Sequence, residues 1–88
     1  MIRIETSVHG DLVTFALIGR LQSENLPELK RVLETPNTIK KIVLDLKEVR
    51  LVDREAIRFL MSFETDNGRI TNCPPYIREW IRRERTQQ

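Results

Sequence analysis

The sequence predicts an α/β fold, a mixed four-stranded sheet with three helices in the order β-β-α-β-α-β-α. Three observations carry that expectation. IRIET (2–6) and LVTFALIG (12–19) flank a Gly10-Asp11 turn signal and read as an antiparallel hairpin. KKIVLDL (40–46) contains the unbroken apolar run Ile42-Val43-Leu44, which argues for burial on both faces, as in parallel pairing. Helical and strand-like stretches then alternate to the end of the chain. That alternation predicts parallel neighbours joined by right-handed crossovers.

The elements follow in order. IRIET alternates apolar and polar, as a half-buried strand does, and LVTFALIG is more apolar and more central. Gly19 is expected to end this second strand. In GRLQSENLPELKRVLE (19–34), Ser23 has the chemistry of an N-cap, and Leu26, Leu29, Val32 and Leu33 follow at helical spacing. Pro27 falls in the first turn, where a missing N–H is tolerated. TPNT (35–38) ends this helix. After the third strand, KEVRLVD (47–53) reads as a connecting loop, with Asp53 as N-cap of a helix over 54–65. Ala56, Ile57, Leu60, Met61 and Phe63 are its candidate core residues, and DNG (66–68) stops it. RITNC (69–73) is a short fourth strand. Pro74-Pro75 then sets up a last helix with Ile77, Trp80 and Ile81 on one buried face. The tail RTQQ (85–88) is expected to fray.

Bulk properties bound the function. With 88 residues the reading is one domain over 1–88, able to bury roughly 60–65% of its unfolded surface. Hydrophobic content of 40% with 32% charged residues is a globular rather than a disordered composition. The charged opening Met1-Ile-Arg-Ile-Glu5 is unlike a secretory leader, and no apolar run approaches the ~20 residues of a membrane span. The expectation is a cytoplasmic protein without a membrane partner. Net charge is only +2, but from Gly68 onward five arginines stand against Glu79 and Glu84. Such a basic last helix suits phosphate or an acidic partner, and equally suits a solvated face whose arginines complement the helix dipole.

Most catalytic and metal chemistry is missing. His9 is the only histidine and lies at the predicted hairpin turn; Cys73 is the only cysteine. Neither has a second ligand at metal spacing, and no intrachain disulfide can form. The three glycines form no phosphate-cradling loop. No imidazole lies near the 47–53 segment to activate a nucleophile. The expectation is a non-enzyme without cofactors or metal.

Two segments carry a family resemblance. In GRLQSENLPELKRVLE, Gly19, Leu21, Leu26 and Leu29 fill the places of the G-x-L … A-x-x-L segment that opens the first helix of STAS domains, the sulfate transporter and anti-sigma-factor antagonist family. IVLDLKEVRLVDREAIRFLM (42–61) resembles the family's signature: an apolar strand, a loop with apolar anchors, then Asp-Ser-Ser-Gly and a helix. Here Ile42 to Leu46 match the strand, Asp45 its acid, Val49 and Val52 the anchors, Asp53 the motif's Asp, and Ile57 and Leu60 the helix. The short fourth strand and last helix also fit, so the resemblance covers nearly the whole chain. It implies a STAS-like fold and a bacterial regulatory role of the anti-sigma-factor antagonist kind. The partner would be an anti-sigma factor or a kinase-like switch protein. A homodimer is compatible with the reading.

The family's antagonists are switched by phosphorylation of a Ser in the Asp-Ser-Ser-Gly turn. That turn reads Asp53-Arg54-Glu55-Ala56 here, so the modified position falls on Glu55 and no hydroxyl is left to accept phosphate. A carboxylate carries −1 where a phosphate carries about −1.5 to −2 and three acceptor oxygens. Glu55 therefore reads either as an imperfect permanent mimic or as an acid favoured at a helix start. The resemblance makes Asp53, Arg54, Glu55, Ala56 and Arg58 the candidate partner-binding residues. A small-molecule- or nucleotide-binding STAS domain is an alternative, although 47–56 offers no aromatic or glycine-rich element. Nucleic-acid binding through the last helix is the weaker alternative: Tyr76 and Trp80 can stack on bases, but their spacing by four suits packing against the sheet.

Overall fold

The hairpin forms as expected and is longer than its alternating residues suggest. The computed structural model describes residues 2–34 and 41–86. Strand β1 (Ile2–His9) pairs antiparallel with β2 (Leu12–Leu21) in unbroken register, from Ile2 opposite Gly19 to His9 opposite Leu12. Gly10, at φ +64, makes the tight reversal between them. Strand β3 (Lys41–Val52) lies parallel to β2, and the short β4 (Arg69–Thr71) lies parallel to β3. The sheet order is β1-β2-β3-β4. Helix α1 (Leu26–Leu33) connects β2 to β3, α2 (Arg54–Thr65) connects β3 to β4, and α3 (Pro75–Thr86) follows β4. Both crossovers advance in the same direction along the sheet, so the right-handed rule puts α1 and α2 on one face. Lys30 of α1 sits over the Phe59 ring of α2, 6.0 Å from its centroid. This is the mixed sheet and element order that the resemblance to STAS domains implies.

One apolar cluster fills the space between sheet and helices. Phe15, Leu17 and Leu21 of β2, Leu44 and Leu46 of β3, Ile57 and Leu60 of α2, and Ile77 and Ile81 of α3 are all buried within it. Alternation along β2 explains its inner face: Val13, Phe15 and Leu17 are buried, while Thr14, Ala16 and Ile18 between them are only partly covered. Val43, facing away from Leu44, is buried at 6% exposure but stands outside that cluster.

Three expectations need correction. Gly19 does not end β2, which runs on to Leu21. KEVRLVD is not a loop, because β3 continues to Val52 alongside β2. The cause is the same in both. Register shifts between Ala16 and Ile18, and again between Gly19 and Arg20, insert extra residues on β3 and put its inward-facing Val49 and Val52 three apart. Such irregularity breaks the period of two by which a strand is recognised. Val49 and Val52 are nevertheless anchors, at 5% and 6% exposure. Ser23 is not an N-cap: it is the first residue of a 3-10 turn (Ser23–Asn25) that leads into α1, and Gln22 precedes that turn. The Gln22 N–H donates to Oδ1 of the buried Asn25 at 3.1 Å. The TPNT stop signal and the last two residues of the tail lie outside the described residues.

The 66–68 stop is real, but the left-handed residue is Asn67, at φ +72, with the Gly68 N–H closing back on the Phe63 carbonyl at 2.9 Å. Gly68 is required for another reason: a Cβ there would lie 2.5 Å from the Phe63 ring. Trp80 is only partly buried at the edge of the core, whereas Ile77 and Ile81 are completely covered.

Candidate functional site

The start of α2 is held from two sides by one carboxylate. Asp53 is extended (φ −115, ψ 179), and its Oδ1 accepts the Ala56 N–H at 2.9 Å, a standard N-cap bond. Its Oδ2 accepts the Ser23 N–H at 2.8 Å, thirty residues away. Asp53 thus caps its own helix and the 3-10 turn before α1 together. Burial pushes its carboxyl up, but the Ser23 and Ala56 N–H donors outweigh that and hold it below its ordinary 3.8. Both oxygens of Asp53 have internal partners, so this residue's first role is to fix the backbone.

Arg54 and Glu55 project from that fixed turn with side chains 64% and 61% exposed. Arg54 Nε lies 3.5 Å from Glu84 Oε1 on α3, and Arg58 Nε lies 3.4 Å from Glu84 Oε2. Arg58 also reaches Glu55, 3.7 Å away. Glu55, Arg58, Glu84 and Arg54 therefore form one chain of alternating charge that ties the start of α2 to the last turns of α3. Ala56, a core candidate by its sequence and a partner-binding candidate by the resemblance, is completely buried. Its methyl belongs to the core, and its contribution to the turn is the N–H given to Asp53.

The residue that sequence reasoning missed is Glu84. Its side chain is 6% exposed, an unusual position for an acid unless it is paired. A signal was available: Ile77, Ile81 and Glu84 recur at helical spacing, which places an acid in the apolar stripe of α3. A second ion-paired cluster, partly exposed, joins α2 to α3. Arg78 grips both oxygens of Glu64 at 2.9 and 3.0 Å, and Arg85 adds a third bond at 3.1 Å.

Beside the α2 start an open groove of about 530 Å³ runs along α3, lined by Arg54, Tyr76, Glu79, Trp80, Arg83 and Glu84. The Tyr76 hydroxyl donates to the Arg50 carbonyl on β3 at 3.1 Å, which fixes the ring at the groove's end. Among the described residues no three His, Cys, Asp or Glu side chains gather closely enough to hold a metal ion, and no helix is long and apolar enough to cross a membrane.

The sequence matches no family model and no curated protein. Among solved structures, the chain is similar to part of the protein described as Mglu, with a TM-score of 0.53 and 22% identity over 81% of this chain. It spans only 19% of that protein's length, and likeness at this identity is a likeness of fold. A second similar structure is an uncharacterized protein of the DUF3478 family from Shewanella loihica PV-4, described as having a SpoIIAA-like fold. It shares 20% identity at a TM-score of 0.45, over 77% of this chain and 60% of that one.

Proposed function

We propose that this chain is a non-enzymatic protein-interaction module of STAS type, which docks a regulatory protein through the start of α2 without phosphorylation. The observation that carries the reading is Glu55. It stands exposed, one residue into a helix whose cap is fixed by two backbone donors, at the position where the resemblance places a phosphorylatable Ser. A rigid backbone presenting charged side chains is what recognition requires, since little ordering cost remains on binding. The permanent charge of Glu55 holds the surface in one state. The partner class, an anti-sigma factor or kinase-like switch protein, follows from the same resemblance; a cytoplasmic setting accords with the charged opening of the chain.

The test is partner capture from the source organism on the immobilised protein, followed by titration calorimetry of the captured protein against wild type and Glu55→Ala. Affinity should fall by ~1–2 kcal/mol if Glu55 is a hot spot, with unchanged melting because its ion pair with Arg58 is an exposed one at 3.7 Å. Equal affinities would reduce Glu55 to an ordinary helix-start acid. Arg54→Ala is a poorer first choice, because it also removes one of the two cations around the buried Glu84.

A further inference from the structure

Among the described residues, exposed apolar side chains lie at both ends of the sheet, and a groove borders the end that carries Leu51 and Tyr76. Val8, Leu51 and Tyr76 are the large exposed hydrophobic residues among those described. Tyr76 lines the groove along α3, and its hydroxyl is bonded to the backbone of Arg50, the neighbour of Leu51. Trp80, half-buried, forms the adjacent wall. Tyrosine, tryptophan and arginine are the residues most enriched where binding energy concentrates.

The arginines of the groove differ from those that hold the fold together. Arg78 commits both terminal nitrogens to Glu64. Arg54 and Arg83 approach their glutamates at Nε, at 3.5 and 3.7 Å, longer than the Arg78 bonds. Among the described residues their NH1 and NH2 groups make no hydrogen bond, and their side chains are 64% and 72% exposed. Each leaves a planar pair of donors open, the geometry that takes a carboxylate with two parallel bonds. The groove's acids are already engaged: Glu84 by Arg54 and Arg58, and Glu79 by Arg82 at 3.1 Å and by Arg83.

We propose that this groove seats an acidic segment of a protein partner, with carboxylates on the Arg54 and Arg83 forks and an apolar side chain against Tyr76 and Trp80. The proposal rests on the reading of the α2 start as a recognition surface and supplies the chemistry of what is recognised. Glu55 does not line the groove, so the two can fail separately.

Trp80 is the only tryptophan, so its emission reports on the groove directly. The probe is a blocked synthetic peptide, Glu-Asp-Leu-Asp-Glu, compared with versions carrying Ser for Leu or Lys for every acid, and with single-stranded oligothymidylate. The acidic leucine peptide should change Trp80 emission saturably and bind more tightly than the other three. Arg83→Ala should weaken it about tenfold, the scale of one lost charge-assisted pair. Arg82→Ala makes the same change in charge and also removes a partner of Glu79, but it lies outside the groove and should change affinity less than about twofold. Equal losses in the Arg82 and Arg83 variants would overturn the proposal. So would tighter binding of oligothymidylate than of the peptide at equal salt, or no saturable change up to millimolar peptide.

Discussion

Asp53 and Glu84 show how single carboxylates organise this molecule. Asp53 lies below its ordinary 3.8 through the Ser23 and Ala56 donors, against burial. Glu64 lies below its ordinary 4.5 chiefly through the Arg78 fork, with burial opposing and Arg85 adding to it. A carboxyl depressed in the folded state binds its proton first in the unfolded chain. Both groups therefore contribute stability that is complete above about pH 5 and lost as pH falls through their folded values. Denaturation midpoints measured against pH should fall less steeply below about pH 5 in Asp53→Asn and Glu64→Gln than in wild type; identical slopes would count against both assignments. Glu84 poses a different question, because a buried acid can be worth less than a hydrophobic residue of its size. Glu84→Leu extends the Ile77–Ile81 stripe and should leave the melting temperature unchanged or raised. Glu84→Ala leaves a gap and should cost about 1–3 kcal/mol. A strongly destabilising Leu would show that the Arg54–Glu84–Arg58 cluster holds α3 in place.

At the scale of elements, α3 is where the expected face was right and the expected depth was not. Ile77, Trp80 and Ile81 do turn inward together, but Trp80 sits at the rim, where α3 overhangs the groove. Ile81→Ala should therefore cost about 2–5 kcal/mol, and Trp80→Ala clearly less than the ~3–5 kcal/mol of a fully buried tryptophan. Equilibrium unfolding in urea measures both, and a Trp80 variant worse than the Ile81 variant would place the indole in the core. The end of α2 illustrates the same division. DNG was legible as a stop because Asn and Gly tolerate left-handed backbone. Asn67 is the one that adopts it, and Gly68 instead accommodates the Phe63 ring, which lies 2.5 Å from where its Cβ would stand.

At the scale of the whole molecule, charge pairing limits what the basic C-terminal segment can bind. Of its arginines, Arg78 and Arg85 hold Glu64, while Arg82 and Arg83 flank Glu79. Few remain to neutralise phosphates together, so duplex DNA should bind no better than ~10⁻⁴–10⁻⁶ M at physiological salt, with little sequence preference. Fluorescence anisotropy across a salt series checks this, and tight sequence-dependent binding would overturn it.

The fold was legible in the sequence because it depends on local signals that agree with one another. The Gly10-Asp11 turn, the Ile42-Val43-Leu44 run, the Asp53 cap and the Ile77–Ile81 spacing each specify an element, and short connections between them leave few topologies. The position of the α2 start was legible for the same reason. Its surroundings were not. Asp53 bonding Ser23, Glu84 buried between Arg54 and Arg58, and Tyr76 bonding the Arg50 carbonyl are contacts between residues far apart in the chain. Periodicity shows which side of a helix turns inward. It carries no information about which residue of another element waits there, because that depends on how the helices lie across the sheet.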